Sequence, residues 1–350
     1  MKKHLSLCAI LILGILAMAS CQKKTDDKSN TKDPLLQKPS SGGKTLEVLV
    51  VCPETLYKGA LRDSINRYFA KTQPYMNQAE PLFDLIPMRP EGFHGSEMFQ
   101  KHRNILIINY DKHRETNKLY KKIHTRCYPQ AVFEFSINHP DSLFPLLQRS
   151  HDYICNQFYV NEHLRVDRAF KDLENIKITQ VLEKKFHFWL TVSEDFYLAK
   201  EDGNFAWLRM EPKDASLNFL IHTVPYKNAG RLDSIAILDL RDSLGKAYIP
   251  GPTKGSYMST DRNYPCGYKT VNIKGLKGKE MRGLWKLAGQ EDQAIRSFMG
   301  GPFVNYTLVD EKHNRLITID CFLYSPRRSK RDLLVQMESV AYNIRFSEKE

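Results

Sequence analysis

The arrangement of apolar residues changes near residue 184, and this change limits the folds that the chain can adopt. Before it, short continuous apolar runs that predict buried strands alternate with segments whose apolar residues recur every three or four positions, which predicts helices. After it, strand-like runs follow one another across short polar turns, which is typical of antiparallel sheets. The sequence therefore predicts an α+β fold, with an α/β-like amino-terminal half containing a mixed sheet and, in the carboxyl-terminal half, an antiparallel sheet with covering helices.

The same periodicity predicts the individual elements. In the amino-terminal half we expect strands at 46–52, 82–88, 104–110 and 131–137, and helices at about 55–70, 96–101, 116–123 and 141–174. In the carboxyl-terminal half we expect strands at 186–192, 204–210, 217–224, 270–273, 282–287, 303–309 and 315–324, and helices at about 232–244 and 329–343. The folded body is thus predicted to comprise an α/β domain of residues 45–184 and an α+β domain of residues 185–350.

Residues 1–22 have the pattern of an export signal. Lys2 and Lys3 precede an apolar run at 5–16 that is too short to span a bilayer. The small pair Ala19-Ser20 before Cys21 resembles the lipobox of bacterial lipoproteins, which implies a signal peptide of residues 1–20 and a mature chain beginning at an acylated Cys21. Since each buried CH₂ contributes about 0.8 kcal/mol, three acyl chains such as palmitate would hold the protein at a membrane almost permanently. A plain secretory signal with an incidental cysteine is the alternative.

The segment that follows predicts a tether. Residues 21–44 lack apolar periodicity and are rich in Lys, Asp, Ser, Pro and Gly, so we expect them to be disordered. A coil of this length spans roughly 25–30 Å on average. The body would then be held just clear of the lipid headgroups.

Charge and cysteine content exclude some partners. The formal net charge of +12 is spread along the chain, and no basic motif interleaved with aromatic residues is present, so we expect no nucleic-acid partner. Cys8 would leave with the signal and Cys21 would be acylated. Because the remaining cysteines do not have the spacing of a disulfide framework, we expect mostly free thiols.

Searches for catalytic and metal-binding motifs find no strong candidate. The HExxH, GxSxG, Walker and paired CxxC patterns are absent, so we expect neither a metal nor another cofactor. Asp239 and Asp242 would share one face of a helix, which an exposed charged face explains without catalysis. The basic run at 327–331 is interpreted as a solvated junction with Ser329 as a helix cap, and contact with lipid phosphates or an anionic glycan is the alternative.

Three stretches rich in Gly and Pro suggest a ligand site. They are the segment 248–258 with Ile-Pro-Gly-Pro, the segment 281–286 with Arg-Gly-Leu-Trp, and the segment 298–303 with Met-Gly-Gly-Pro-Phe. They could be sharp turns of purely architectural importance. Alternatively they frame a surface on which Trp207, Arg209, Arg282 and Trp285 bind a planar or sugar ligand, since Trp offers a broad apolar face and Arg a fork of donors.

These strings also carry a family resemblance. Together with Arg103 and the run at 104–108, Trp207-Leu-Arg209 and Ser325-Pro326, they are similar to the Bacteroidetes lipoproteins of domain-of-unknown-function family 4837. The resemblance covers nearly the whole mature chain. It implies an envelope lipoprotein of a Gram-negative bacterium and brings no known activity, substrate or catalytic residue.

These observations favour a non-catalytic binding or assembly module, lipid-anchored at the outer membrane and facing the periplasm or the cell surface. Its partners would be the membrane, through the lipid, and an envelope protein or glycan. An envelope hydrolase acting on glycan or peptide is the alternative, so whether the protein is an enzyme stays open. A structural spacer is a third possibility.

Overall fold

The computed structural model describes residues 33–289 and 299–347. The predicted signal peptide, Cys21 and the first part of the predicted tether lie outside the described residues. The chain divides into two units, residues 1–38 and residues 39–350. All strands and helices of the described residues belong to the second unit.

The amino-terminal half contains a five-stranded mixed sheet. Its strands are β1 (Glu47–Val51), β2 (Asp84–Met88), β3 (Asn104–Tyr110), β4 (Lys118–Ile123) and β5 (Ala131–Ile137), in the order β2-β1-β3-β5-β4. All neighbouring pairs are parallel except β4 with β5. The helices are α1 (Gly59–Phe69), α2 (Pro90–His94), α3 (Glu97–Gln100) and α4 (Leu143–Lys171). Helices α1 and α4 pack on one face of this sheet, which confirms the predicted α/β-like arrangement.

One predicted helix is wrong. Residues 116–123 were expected to be helical, but 118–123 form the antiparallel edge strand β4. Leu119 and Ile123 lie on one face of this strand and pack against the core, whereas its lysines are exposed, as is usual for an edge strand. Pairing with β5 decides the conformation here, because tertiary hydrogen bonding overrides a weak local preference.

The carboxyl-terminal half is built on an eight-stranded antiparallel sheet. Its strands run in the order β10-β12-β13-β14-β9-β8-β7, and β11 also pairs with β12. They are β7 (Tyr197–Asp202), β8 (Phe205–Met210), β9 (Ser216–Pro225), β10 (Tyr257–Thr260), β11 (Gly267–Ile273), β12 (Leu276–Ala288), β13 (Gly300–Asp310) and β14 (Arg315–Tyr324). The helices are α5 (Ile176–Phe186), α6 (Ser234–Tyr248) and α7 (Arg331–Tyr342). The predicted α+β class is confirmed.

The run at 186–192 is not the long strand that its composition predicted. Phe186 ends α5, and His187 follows in the left-handed conformation with φ of 59°. Only β6 (Phe188–Trp189) is a strand, and it pairs with the short β15 (Arg345–Phe346). The apolar residues of this run would be buried both in a long strand and in the observed helix end with its short strand. Hydrophobicity alone therefore could not distinguish these two conformations.

The two faces of the large sheet support separate cores. Alternate residues such as Phe219 and Ile319 pack with Leu182 of α5 and Met337 of α7 on one face. Their neighbours on the opposite face, including Leu220 and Phe303, pack with Ile237 and Leu244 of α6. Because side chains alternate along a strand, each face needs its own covering element.

Helix α7 begins at a carboxylate supplied by a residue far away in sequence. Glu80 accepts hydrogen bonds from the backbone N–H groups of Lys330 and Arg331, at 2.9 and 3.0 Å, and from the Ser329 hydroxyl. The negative charge also suits the positive end of the helix dipole. Ser329 is therefore not the cap that the sequence predicted. Half of the basic run is internal, since Lys330 and Arg331 are buried and Arg331 pairs with Asp84 at 2.7 Å.

Ordered structure begins before the predicted start at Thr45. Ser40 and Gly42 form parallel bridges with Tyr128 and His102, and Arg103 donates to the Gly42 carbonyl at 3.1 Å. Arg103 in turn pairs at 2.9 Å with Glu162 of α4, which is fully buried. The last residues of the predicted tether are thus bound to the body.

Three of the five cysteines in the described residues are buried. Cys52, Cys155, Cys266 and Cys321 carry free thiols, and burial raises the pKa of the Cys52 and Cys155 thiols to about 12. Within the described ranges, no helix is both long enough and apolar enough to cross a bilayer.

A buried ion pair joins α6 to the sheet. Arg241 donates from Nε to Asp320 at 2.9 Å and from Nη1 to Thr260 at 3.1 Å, and its guanidinium lies 3.7 Å from the centre of the Phe303 ring. The Arg241 and Asp320 side chains are 0% and 1% exposed. A pair this deep is costly to desolvate, and removing one partner leaves the other charge uncompensated.

We expect Arg241→Met to lower the free energy of unfolding by about 3–5 kcal/mol, because Asp320 would then be a buried, unpaired charge. Adding Asp320→Leu should recover most of this loss. Urea unfolding of both variants measures the effect, with Arg62→Met, whose partner Asp63 is exposed, as a control that should change stability by less than about 1 kcal/mol. A single variant as stable as the wild type would contradict the expectation.

His163 predicts a pH dependence of stability. Burial, together with nearby Arg282, lowers the pKa of this imidazole from 6.5 to about 4, and its ring lies 4.4 Å from that of Tyr342. Between these two values the unfolded chain binds a proton that the folded chain does not, so stability should fall by about 3 kcal/mol as the pH drops from about 6.5 to about 4. His163→Phe keeps the ring contact and should remove this part of the acid sensitivity. The free energy of unfolding is measured by urea unfolding between pH 7 and 4, with His94→Phe, at an exposed site, as the control. If the free energies of His163→Phe and the wild type depend on pH in the same way, this effect of His163 is ruled out.

Candidate functional site

Helix α6 leaves one end of its sheet face uncovered. Beyond its last residue, Tyr248, the segment 249–252 turns back over the ends of the strands and frames a cleft of about 280 Å³. We call this the aromatic cleft. The polar residues that line it are Arg209, Ser216, Asn218 and Tyr324. The apolar lining includes Trp207, Trp285, Ile249, Pro250, Met258, Leu287, Met299 and Phe322.

Strand pairing explains why Trp207 and Arg209 meet in this cleft. They lie two apart on β8 and so point to the same face, opposite Leu220 and Asn218 of β9. Trp207 Nε1 donates to Asn218 Oδ1 at 3.0 Å, and the Arg209 guanidinium lies 5.5 Å from the centre of the Trp207 indole. This separation is within the range of a cation–π contact, which orients both side chains.

The Arg209 side chain keeps donors available. Its Nη2 donates to Glu211 at 2.6 Å and its Nε to the Ser216 hydroxyl at 3.4 Å. The guanidinium also forms a hydrogen bond with Tyr197, and these three contacts do not use all five of its N–H groups. An acceptor atom of a ligand could therefore bind there, on a guanidinium that is one third exposed.

Trp285 forms a buried wall of the cleft. Its Nε1 donates to the Leu323 carbonyl at 2.9 Å, and its ring contacts Phe322 edge-on at 5.5 Å between centroids. Opposite it on β13 is Gly301, where an added Cβ would lie 2.2 Å from the Leu323 carbonyl oxygen and 3.2 Å from Trp285 Nε1. The Met-Gly-Gly-Pro-Phe string is thus required for close packing around this indole.

The Ile-Pro-Gly-Pro string has a comparable role. At Gly251 an added Cβ would lie 2.3 Å from the Ser256 hydroxyl and 2.8 Å from Leu287. Glycine therefore allows segment 249–252 to approach β12 closely and form one rim of the cleft. Both strings are architectural, and the structure that they support is the cleft.

Arg282, the fourth predicted site residue, does not line the cleft. It is three positions from Trp285 on the same strand, so the two side chains point to opposite faces of the sheet. Arg282 donates to both oxygens of Glu338 at 2.7 Å and to Glu280 at 2.5 Å. Burial lowers its pKa, but the two carboxylates outweigh this effect and hold the pKa well above its ordinary value. Arg282 joins β12 to α7 and is part of the core.

Several cleft residues were missed by sequence reasoning. Asn218, Phe322 and Tyr324 belong to strands whose runs were read only as core. A signal was available for Asn218, because a polar residue within a run of apolar ones needs a partner, here the Trp207 indole. No local signal distinguishes Tyr324, since its position depends on how β14 ends beside β13.

The other candidate residues have structural roles. Asp239 and Asp242 both bind Arg262, at 2.8 and 2.7 Å, and Asp242 also accepts the Thr260 N–H at 2.6 Å. Burial raises the pKa of Asp242, but these hydrogen bonds outweigh it and leave the pKa below its usual value. His222 lies within the sheet, where burial lowers its pKa. Within residues 33–289 and 299–347, no group of three or more His, Cys, Asp or Glu side chains could hold a metal ion.

Comparison with known proteins identifies two families. Residues 175–343 match a family described as a domain of unknown function, DUF4837, and residues 41–171 match another, DUF8532. The DUF4837 match is narrower than the predicted resemblance, which extended over nearly the whole mature chain. Arg103 and the run at 104–108 lie in the DUF8532 region.

No curated protein matches the chain. Among solved structures, the Ran-binding protein Mog1p of Saccharomyces cerevisiae aligns at 6% identity over 46% of this chain and 90% of that one, with a TM-score of 0.30. A likeness this weak carries no argument. The matches thus support the DUF4837 family for residues 175–343, the region that holds every residue of the aromatic cleft.

Proposed function

We propose that this protein is a lipid-anchored binding module of the cell envelope, whose aromatic cleft receives an apolar group of its partner. The observation that carries the proposal is the meeting of Trp207, Arg209 and Trp285 at one uncovered end of the sheet. Concave apolar surfaces with a few convergent polar groups are the usual form of a binding site.

The size and lining of the cleft limit what it can receive. Sites for drug-sized ligands measure about 300–1,000 Å³, so a volume of about 280 Å³ suits a single ring or a branched aliphatic group. Trp207 and Met258 would contact its apolar surface. The Arg209 guanidinium would bind an acceptor beside it, and a carboxylate would form the strongest such bond.

The described lining is suited to holding a ligand. Its Arg209 and Tyr324 side chains offer N–H and O–H donors to a ligand. Trp207 and Arg209 are held by hydrogen bonds to neighbouring residues, so little side-chain freedom would be lost on binding. These features support a binding role for the cleft.

The location is part of the same proposal. The lipobox-like segment ending at Cys21 and the polar segment after it support acylation at Cys21 and attachment to the outer membrane. The body would face the periplasm or the cell surface. An envelope protein or glycan would be its partner.

If the ligand assignment is right, small probes should perturb the cleft selectively. The chain contains three tryptophans, and we expect N-acetyl-phenylalanine and N-acetyl-leucine to shift the indole N–H resonances of Trp207 and Trp285 but not that of Trp189. Arg209→Met should weaken binding of these carboxylates several-fold by removing the donor, whereas Arg327→Met, at an exposed site, should not. Two-dimensional ¹H–¹⁵N spectra provide the measurement, with N-acetyl-glycine as the non-binding control. Absence of any shift with the apolar probes would overturn the proposed function.

Acylation is tested separately. In a bacterium that processes lipoproteins, we expect the wild-type chain to incorporate an alkyne-labelled palmitate and Cys21→Ala to lose the label, because the thioether requires this sulfur. Cys8→Ala is the matched control and should retain the label, since Cys8 would leave with the signal peptide. Label retained by Cys21→Ala would exclude this anchor.

A further inference from the structure

A second cavity adjoins the aromatic cleft. It measures about 620 Å³, and three residues, Trp285, Met299 and Tyr324, line both spaces. We call it the side cleft. The two spaces are therefore adjacent at these three residues.

The two spaces differ in chemistry. The aromatic cleft is mainly apolar, whereas the side cleft is lined by the amides of Asn77 and Gln78 and by Asp261, Lys286 and Lys330. Lys286 pairs with Asp261 at 2.8 Å, and Lys330 Nζ donates to Gln78 Oε1 at 2.8 Å. Each lysine thus has an acidic neighbour, because the Glu80 carboxylate accepts a hydrogen bond from the Lys330 backbone N–H at 2.9 Å.

The small volume of the aromatic cleft indicates that its occupant is one group of a longer molecule. A single side chain would fill about 280 Å³, and the remainder of the ligand would have to leave across the rim. The larger and more polar side cleft lies beyond Tyr324, which lines both spaces. That order, an apolar end group followed by a polar chain, is the pattern that the ligand should match.

We infer that the partner is a protein that binds through an extended peptide segment, with one apolar or aromatic side chain in the aromatic cleft and neighbouring residues in the side cleft. This inference rests on the proposed function of the aromatic cleft. Peptide N–H and C=O groups match the side-chain amide of Asn77, whereas the Gln78 amide already bonds Glu80 and Lys330.

A glycan fits this lining less well. Ile249, Met258, Leu287 and Phe322 offer no hydrogen bonds from their side chains, so a sugar placed among them would bury hydroxyl groups without partners. Each such group costs about 1–3 kcal/mol. An apolar amino-acid side chain incurs no such cost.

The dependence of affinity on the length of the peptide ligand tests the inference. The full mature chain is titrated with N-acetyl-phenylalanine amide and with two pools of blocked tetrapeptides. One pool carries phenylalanine at the first position and the other at the last position, and the remaining positions are Asp, Ser, Gly or Asn. We expect at least one pool to bind ten-fold or more tightly than the single blocked residue, by titration of the Trp285 indole resonance. Tyr264→Ala, which alters an exposed wall of the side cleft, should abolish this gain while leaving binding of the single residue unchanged. Tyr120→Ala, which changes another exposed aromatic, on β4 of the other half, is the matched control and should keep the gain.

The outcomes separate the two proposals. Equal affinity for the single residue and both pools, or a gain that survives Tyr264→Ala, would overturn the peptide inference and leave the binding role of the aromatic cleft in place. If sugars from the monosaccharide to the linear hexasaccharide bind more tightly than any peptide pool, the ligand is a glycan and the peptide inference is wrong. Failure of every probe to bind would overturn both proposals.

Discussion

Side chains along the eight-stranded sheet point alternately to its two faces, and the rest of the carboxyl-terminal half depends on how each face is covered. One face packs against α5 and α7 and forms a closed core. The other is covered mainly by α6, whose 15 residues end before the strands do. The uncovered end is the aromatic cleft, so the site arises from a helix that is shorter than the sheet beneath it.

Buried charges join the layers at defined positions. Glu162 binds Arg103 under the amino-terminal sheet, Arg241 of α6 binds Asp320, and Arg282 of β12 binds Glu338 of α7. A buried ion is unfavourable unless its partner is correctly placed, so each pair disfavours other arrangements of the elements that it joins. Glu80 acts similarly at the start of α7, where it links a loop of the amino-terminal half to the carboxyl-terminal helix.

Sequence reasoning predicted the fold class and most strands, and three of its four candidate site residues lie in one cleft. Trp207 and Arg209 could be predicted together because two positions on a strand share a face. Arg282 and Trp285, three positions apart on the predicted strand 282–287, could have been separated by the same rule, which places them on opposite faces. The predicted helix at 116–123 was wrong because its few apolar residues suit a helix and an edge strand equally, and only pairing with β5 selects the strand.

The sequence by itself determined the properties that depend on neighbouring residues: the periodicity of strands and helices, and the glycines that allow close packing at Gly251 and Gly301. The tertiary structure alone decided which distant residues meet. Trp207 and Trp285 share a cleft because β8 and β12 lie in one sheet on either side of β9, β14 and β13. Strand order depends on hydrogen bonds and packing between segments far apart in the chain, and no local pattern encodes those contacts.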